Sequence, residues 1–334
     1  MTAYSPALLS RLGQENKAGS ALELFMKEFS GMVMTEFNEV NVFRPLHRVK
    51  VINSGESHTF EALGSVGTRY HVPGESILRS DGADIYLQSI GHGRRTILTD
   101  PVEISPIFVD DWDEMVNHYP TRKEYARQLG EALSESYDRR LAQVAVLTAR
   151  EAATVTSTGD GGSTITGDLI NGTDSVVAGE LVRMAFAAKD LMTNKKVPKT
   201  GRYLALPPEM ISILIKESES NGILLDKDLS TGNGDVAMAT IYRIAGFRIV
   251  ESTHIPQSNI AEVTGARNTY HADFSDTKGV AFQTQAFGST QLKGLTTSAS
   301  YEHEYQGNLL VAKMCVGSAP LRPECAVELA DDGV

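Results

Sequence analysis

The chain has 334 residues, of which 41% are hydrophobic and 22% are charged, a composition that excludes a wholly disordered protein. Its 31 basic and 42 acidic residues give a net charge of −11, which disfavours sequence-reading contacts with nucleic acid but allows a protein that only encloses it. No apolar run reaches about 18 residues and the first residues lack the layout of a signal peptide, so we expect no membrane segment and synthesis in a cytosol.

The first predicted element is an amphipathic helix over residues 21–37. Its apolar side chains recur at spacings of three and four, which places them on one helical face. They are Leu22, Phe25, Met26, Phe29, Val33 and Phe37. A helix with one wide apolar face and only polar chain before it must dock on another surface.

Residues 53–100 predict a long two-stranded excursion, because short β-prone runs alternate with turn-forming residues. These turn residues are Gly64, Gly67, Pro73-Gly74, Gly91 and Gly93. An isolated hairpin is marginally stable in water, so one of this length should lie on a neighbouring surface. The alternative is an ordinary hairpin packed on its own domain. Arginines that could donate hydrogen bonds across such a contact are Arg69, Arg79, Arg94 and Arg95.

The strongest predicted helix runs from Thr121 to Ala152, after a proline suited to the first helical turn. Apolar residues recur along it every four positions: Tyr125, Leu129, Leu133, Tyr137 and Leu141. At 1.5 Å per residue its length is roughly 48 Å, more than a small domain needs. We therefore interpret it as a rod on which other parts of the chain lie.

The rest of the chain predicts an α+β fold. Residues 153–175 are rich in Gly, Ser and Thr and are interpreted as a loop or mobile insertion. An amphipathic helix through Leu181–Met192 and a helix after Pro207-Pro208 follow. Predicted strands are Arg202–Leu206, Phe247–Val250, Val280–Phe287, Thr290–Lys293 and Leu309–Val316, the last ones returning beside the long helix.

Local signatures of catalysis and of cofactor or metal binding are missing from the sequence. The glycine-rich segments 159–162 and 232–235 lack the later glycine of a dinucleotide fingerprint and the lysine of a P-loop. The eight histidines do not form close pairs with ligand spacing. Cys315 and Cys325 are expected to be buried thiols, with a disulfide as the minor alternative. We therefore predict a protein that is not an enzyme and has no cofactor.

Residues 115–133, MVNHYPTRKEYARQLGEAL, resemble a segment of the major capsid proteins of short-tailed double-stranded DNA phages related to coliphage T-seven. Three further segments match in the same order. They are residues 24–29, residues 54–64 together with Pro73-Gly74-Glu75, and residues 321–324. The resemblance covers residues 20–328 and implies the Hong Kong 97-type capsid fold.

That resemblance implies a division of the chain into named parts. Residues 1–52 would be the N-terminal arm and 53–100 the E-loop. Residues 101–174 would be the peripheral domain with its spine helix at 121–152, 175–270 the axial domain, and 271–334 the C-terminal strands that return to the peripheral domain. The arm and E-loop residues that we expect at contacts between subunits are Phe25, Phe29, Arg69, Arg79, Arg94 and Arg95.

The implied function is that of a structural subunit of the virion, which is assembled in the bacterial cytoplasm. Copies would form hexamers and pentamers of an icosahedral head around double-stranded DNA, through a scaffold-dependent precursor that expands. Expected partners are further copies of the chain, a separate scaffolding protein, a portal and, as an optional partner, a decoration protein. Two alternatives stay open: an encapsulin-like bacterial compartment, and a soluble enzyme that binds phosphate through the glycine-rich loops.

Overall fold

A computed structural model describes residues 41–68, 70–71, 73–74, 90–112, 121–155, 159–170, 173–221, 234–235, 240–241, 243–262 and 264–332. These residues fall into two compact units. The first contains residues 102–135 and 295–314, and the second contains 41–101, 136–294 and 315–332. In the part of the chain that the structure describes, no helix is long and apolar enough to cross a membrane.

Three α-helices and sixteen strands make up the described fold, together with two short 3-10 turns at Arg44–Leu46 and Pro323–Cys325. The helices are α1 (Thr121–Arg150), α2 (Asp174–Asn194) and α3 (Pro208–Asn221). The strands are β1 (Arg48–Val51), β2 (Ser57–Leu63), β3 (His92–Leu98), β4 (Glu103–Asp110), β5 (Ser163–Gly167), β6 (Arg202–Leu206), β7 (Gly234–Asp235), β8 (Thr240–Ile241), β9 (Arg243–Ile244), β10 (Phe247–Glu251), β11 (Asn259–Ile260), β12 (Ala272–Asp273), β13 (Thr277–Gln283), β14 (Phe287–Glu302), β15 (Gly307–Pro320) and β16 (Ala326–Asp331).

The first unit contains an antiparallel ladder between β4 and β15. The register runs from Gly307 opposite Asp110 to Met314 opposite Glu103. Gly307 is required here, because a Cβ at this position would lie 2.6 Å from the carbonyl oxygen of Val109. The N-terminal half of α1 belongs to the same unit, and Leu295 lies in contact distance of its Gly130.

The second unit is organised around a six-stranded mixed sheet with the strand order β5-β16-β13-β6-β10-β9. The central strands β13 and β16 are almost wholly buried, as a strand covered on both faces should be. Aromatic rings form the core: Phe282 has its ring centroid 5.8 Å from that of Phe43 and 5.4 Å from that of Phe287. Helix α2 buries one apolar stripe and packs against α3.

The structure confirms most of the predicted elements that lie in the described residues and corrects three, while the predicted helix over residues 21–37 lies outside the described residues. Residues 153–175 are not only a loop, because β5 lies within them and pairs in parallel with β16 at the edge of the sheet. Gly162 allows the chain that leads into β5 to pass close to the end of α1, since a Cβ at this position would lie 2.1 Å from the carbonyl oxygen of Ala149. The predicted strand Val280–Phe287 is broken after Gln283, whose side chain accepts a hydrogen bond from the N–H of Gln285. The long helix ends at Arg150, two residues before its predicted end.

Candidate assembly site

The strands β2 and β3 form a hairpin with one face turned to its own unit and one face turned to solvent. On the inner face, Ile97 is fully buried. On the outer face every residue of both strands is exposed, including Leu63, whose exposed fraction is 65%. This face carries an apolar residue and, in Glu61 opposite Arg94, a complementary charge pair. It is a surface that a second chain could cover.

Two glycines allow the hairpin to approach its own unit closely. A Cβ at Gly93 would lie 2.3 Å from the carbonyl oxygen of Thr154, and one at Gly317 would lie 1.9 Å from the carbonyl oxygen of Leu98. Both distances are far below van der Waals contact, so no other residue fits without movement of the backbone. The hairpin is therefore seated by close backbone contact near both ends of its ladder, at Gly93 and at Leu98.

Asp100 anchors the base of the hairpin by a network of buried hydrogen bonds. Its Oδ1 accepts hydrogen bonds from the backbone N–H of Arg267 at 2.8 Å and from the side-chain amide of Asn268 at 3.0 Å. The hydroxyl group of Tyr270 donates to Oδ2 and accepts a hydrogen bond from the N–H of Ser318. Burial, together with the neighbouring Asp100 carboxylate, raises the pKa of Tyr270 far above its usual range. Residues 267–270 thus bind the carboxylate directly, and Ser318 joins the network through the hydroxyl group of Tyr270.

Arg95 fastens the inner face of the hairpin to the end of α1. Its guanidinium group donates to the carboxylate of Glu151 and to the carbonyl oxygen of Ala152, each at 3.1 Å. Both side chains are partly exposed, with exposed fractions of 30% and 41%, so this ion pair contributes little energy by itself. The ion pair instead fixes the orientation of β3 relative to the residues that follow α1.

The segment before β1 is anchored to α1 by a second buried carboxylate. Asp138 is fully buried and accepts hydrogen bonds of 2.9 Å from the backbone N–H groups of Val42, Phe43 and Arg44. Burial raises the pKa of Asp138, while the three N–H donors oppose that shift. Residues 42–44 are therefore held at a defined point on the long helix.

His47 is packed next to this anchor. Its Nε2 lies 3.0 Å from the hydroxyl oxygen of Tyr137 and 2.8 Å from that of Ser289, and its ring stacks on Phe287 at 5.8 Å. Burial lowers the pKa of His47 to about 4, so the ring is neutral at pH 7.

The last residue of α1 is joined to the central sheet by a bidentate ion pair. Arg150 donates to the two carboxylate oxygens of Glu328 at 2.7 and 2.6 Å. Glu328 also accepts hydrogen bonds from the hydroxyl groups of Thr277 at 2.6 Å and Thr164 at 3.2 Å. The side chain of Glu328 is only 1% exposed, so its charge depends on these donors.

The first unit presents apolar side chains to solvent in a cluster along β4 and beyond it. Alternate residues of β4 face outward, and the ring of Tyr305, in the turn between β14 and β15, contacts the ring of Phe108. The exposed fractions are 58% for Ile104, 42% for Phe108, 71% for Trp112 and 69% for Tyr305. Apolar clusters of this kind mark surfaces that a protein partner covers.

The predicted contact residues divide between the described and undescribed parts of the chain. Arg94 lies on the exposed face of the hairpin, whereas Arg95 is engaged within its own unit. The other four, Phe25, Phe29, Arg69 and Arg79, lie outside the described residues. The anchoring residues Asp100, Tyr270 and Asp138 were not predicted, because their partners are far away in sequence.

The thiols and acidic clusters do not assemble a catalytic centre in the described residues. Cys315 and Cys325 are free and buried, as predicted, and burial raises the pKa of Cys325 to about 12. Asp168, Asp331 and Asp332 bring carboxylate oxygens within 4.8 Å of one another. Asp331 uses one of its oxygens to accept the N–H of Leu169, which gives this cluster a structural role.

Comparison with known proteins assigns the chain to a family. A family model described as "Gp10A-like: Major capsid protein" matches residues 60–330. The major capsid protein of Escherichia phage T7 is 27% identical over 339 aligned residues, which cover 92% of each protein. The major capsid protein of Enterobacteria phage T3 is also 27% identical, over 94% of this chain and 93% of the phage protein.

Solved structures support the same assignment. The capsid structure of the cyanophage P-SCSP1u superposes with a TM-score of 0.80 and 31% identity, covering 99% of both chains. The mature capsid of bacteriophage PhiM1, at 19% identity and a TM-score of 0.74 over 92% of this chain and 91% of that one, supports the fold alone. The predicted α+β fold of the Hong Kong 97 type is thereby confirmed, as is a structural role in place of an enzymatic one. The chain belongs to the Gp10A-like family of phage major capsid proteins.

Proposed function

We propose that this chain is the major structural subunit of a phage head and self-assembles into the icosahedral shell that encloses a double-stranded DNA genome. The observation that carries the proposal is the match of residues 60–330 to the major capsid protein family. The hairpin of β2 and β3 supports it, because this hairpin is fixed at its base and presents a whole face to solvent. Such a face suits a contact with the next copy of the chain.

The contacts between copies are of the head-to-tail type, in which one surface of a subunit meets a different surface of the next. Contacts of this kind close into rings when the rotation between subunits closes. We propose hexamers and pentamers as these rings, with Phe25, Phe29, Arg69, Arg79, Arg94 and Arg95 near their contacts. The arm (1–52), E-loop (53–100), peripheral domain (101–174), axial domain (175–270) and returning strands (271–334) are the proposed divisions.

Proteins other than the shell subunit complete the proposed assembly pathway. A separate scaffolding protein would direct a small precursor shell, a portal would occupy one vertex, and a decoration protein is a further possible partner. The acidic chain, with its net charge of −11, favours an inner wall on which packaged DNA slides and does not adhere. An encapsulin-like compartment shares the fold class, but the named relatives of this chain are phage capsid proteins.

Electron microscopy of the purified protein, expressed with and without a neighbouring scaffolding gene, tests the proposal. Uniform angular shells of several hundred ångströms, or capsomers and tubes, are the expected result. A stable monomer or dimer under both conditions contradicts it. Enzymes enclosed in shells from the native source, in place of DNA, would support the compartment.

A substitution on the outer face of the hairpin tests the surface itself. Leu63→Asp places a charge where we propose that the next copy binds, so shells should be lost while the circular dichroism spectrum stays unchanged. Leu63→Met preserves an apolar side chain of similar size and is the matched control. Normal shells from Leu63→Asp would show that this face is not a contact.

A further inference from the structure

The part of the four-stranded sheet that lies in the first unit has one protected edge. The strand order is β1-β14-β15-β4, which places β4 at this edge. β4 carries Pro106, whose nitrogen cannot donate a hydrogen bond, and it begins and ends with the acidic residues Glu103 and Asp110. Proline and charge are devices by which natural edge strands avoid pairing with other chains. The β4 edge is therefore closed to strand addition.

β14 lacks this protection on the opposite side of the sheet. Residues 295–301 contain neither proline nor a charged side chain, and all of them are exposed. β1 pairs with β14 only from Arg48, opposite Gly288, to Val51, opposite Gln291. Beyond Gln291, β15 is the one neighbour of β14 among the strands that the structure describes. We call residues 295–301 the open edge.

The packing of α1 against the open edge is incomplete within one chain. Leu295 lies within contact distance of Gly130 on α1, yet its exposed fraction is 40%. A cavity of about 240 Å³ in the same unit is lined by Leu129, Thr297, Ser298, Ala299, Leu310 and Val311. Three of these lining residues belong to the open edge. This strand therefore has room beside it for side chains from another chain.

Two copies of the open edge are compatible in charge. The net charge of −11 makes most surfaces of this chain repel the same surfaces of a second copy. The open edge is neutral, with Lys293 before it and Glu302 and Glu304 after it. In an antiparallel pair of two open edges, the cation of each copy lies near the acidic residues of the other. Opposite charges across neighbouring strands are stabilising.

Two-fold symmetry restricts the register of such a pair. Successive residues of a strand direct their N–H and C=O groups to alternate edges, so the axis must pass through a residue that lies opposite its own copy. The middle of the neutral segment is Ser298. With Ser298 on the axis, Thr296 lies opposite Ser300 and Leu295 lies opposite Tyr301. Leu295 and Tyr301 are 40% and 41% exposed in the single chain, and both become cross-strand contacts in this register.

We propose that the open edge pairs antiparallel with the open edge of a second copy, across a two-fold axis at Ser298. The inference rests on the proposed self-assembly, since it assigns one contact between copies. Head-to-tail contacts close a ring of subunits, so a contact of another kind must join one ring to the next. An antiparallel pair of identical edges is such a contact, because it uses the same surface on both copies.

Disulfide cross-linking of assembled particles tests the proposed register. Ser298→Cys places two thiols opposite each other, where Cα atoms about 4.5–5.5 Å apart allow a disulfide. After treatment with oxidised glutathione, most chains should run as dimers on a non-reducing gel. The matched control is Ser300→Cys, on the same face of the strand. Its thiol would lie about 14 Å from its own copy, out of reach of a disulfide, so these chains should stay monomeric.

A mixing experiment gives a second readout of the same register. Thr296→Cys chains alone should also stay monomeric, whereas particles assembled from equal amounts of Thr296→Cys and Ser300→Cys chains should yield dimers. Equal cross-linking by Ser298→Cys and Ser300→Cys would contradict the inference. Normal shells without the expected cross-links would show that another strand or no strand covers this edge, and would leave the proposed function intact. If the wild type forms no shells, the proposed function fails, and this inference fails with it.

Discussion

The ion pair between Arg150 and Glu328 gives a sharp test of what holds the second unit together. We predict that Arg150→Met destabilises the folded chain strongly. The substitution keeps an aliphatic stem like that of arginine, but it removes the guanidinium group and both of its hydrogen bonds to a carboxylate that is only 1% exposed. Glu328 would keep the hydroxyl groups of Thr277 and Thr164 as donors.

The expected magnitude follows from the burial of the two partners. Removing one partner of a buried ion pair costs about 3–5 kcal/mol, because the other charge is left uncompensated. Arg150 is itself 32% exposed, so water can reach part of the site and the lower end, about 3 kcal/mol, applies. The double variant Arg150→Met/Glu328→Leu should lose clearly less than the sum of the single variants, with a coupling energy of about 2 kcal/mol.

Urea unfolding of unassembled subunits at pH 7, followed by circular dichroism, measures these energies. Arg183→Met is the matched control, since Arg183 and Glu180 form an exposed pair on α2 with exposed fractions of 55% and 30%. It should cost less than about 0.5 kcal/mol. The reasoning is wrong if Arg150→Met costs no more than Arg183→Met, or if the double-variant cycle shows no coupling.

Three further predictions follow from the anchoring contacts. Burial lowers the pKa of His47 to about 4. Because the unfolded chain takes up a proton near pH 6.5, the free energy of unfolding should fall by on the order of 3 kcal/mol as the pH drops from 6.5 to 4. His47→Gln should remove this part of the pH dependence in urea unfolding. Tyr270→Phe should cost about 2–4 kcal/mol by leaving Asp100 and the Ser318 N–H without their shared partner, whereas the exposed Tyr305→Phe should change the unfolding energy little. Gly317→Ala should prevent soluble expression or cost more than about 3 kcal/mol, whereas Gly179→Ala, in a helix with open space around it, should stabilise by about 0.5–1 kcal/mol.

Local patterns in the sequence predict the helices and most strands, because hydrophobic periodicity and turn residues act over a few positions. The strand Arg202–Leu206 is confirmed with its predicted bounds. β5 is missed because its Ser-Thr-Ile-Thr-Gly composition resembles the surrounding loop, and its strand character depends on pairing with β16, some 160 residues later. Such a long-range partner leaves no local signal.

The candidate site is predicted only where a local pattern marks it. The turn residues predict the hairpin of β2 and β3, and Arg94 lies on its exposed face. The anchor at Asp100 leaves no local signal in the sequence. Asn268 and Tyr270, which bind Asp100, and Ser318, which binds Tyr270, are brought together by the tertiary fold alone.

The order of strands in the six-stranded sheet has a consequence for the timing of synthesis. β16 is made after every other strand of the sheet, yet it lies inside, between β5 and β13. While a ribosome translates the residues before 326, β5 therefore has no neighbour in the sheet and β13 has one open edge. Unpaired strand edges can pair with other chains, so these two edges are open to mispairing until the last strand is inserted. A chain released before residue 326 cannot complete this sheet, so the fold itself distinguishes such a truncated copy from one that contains β16.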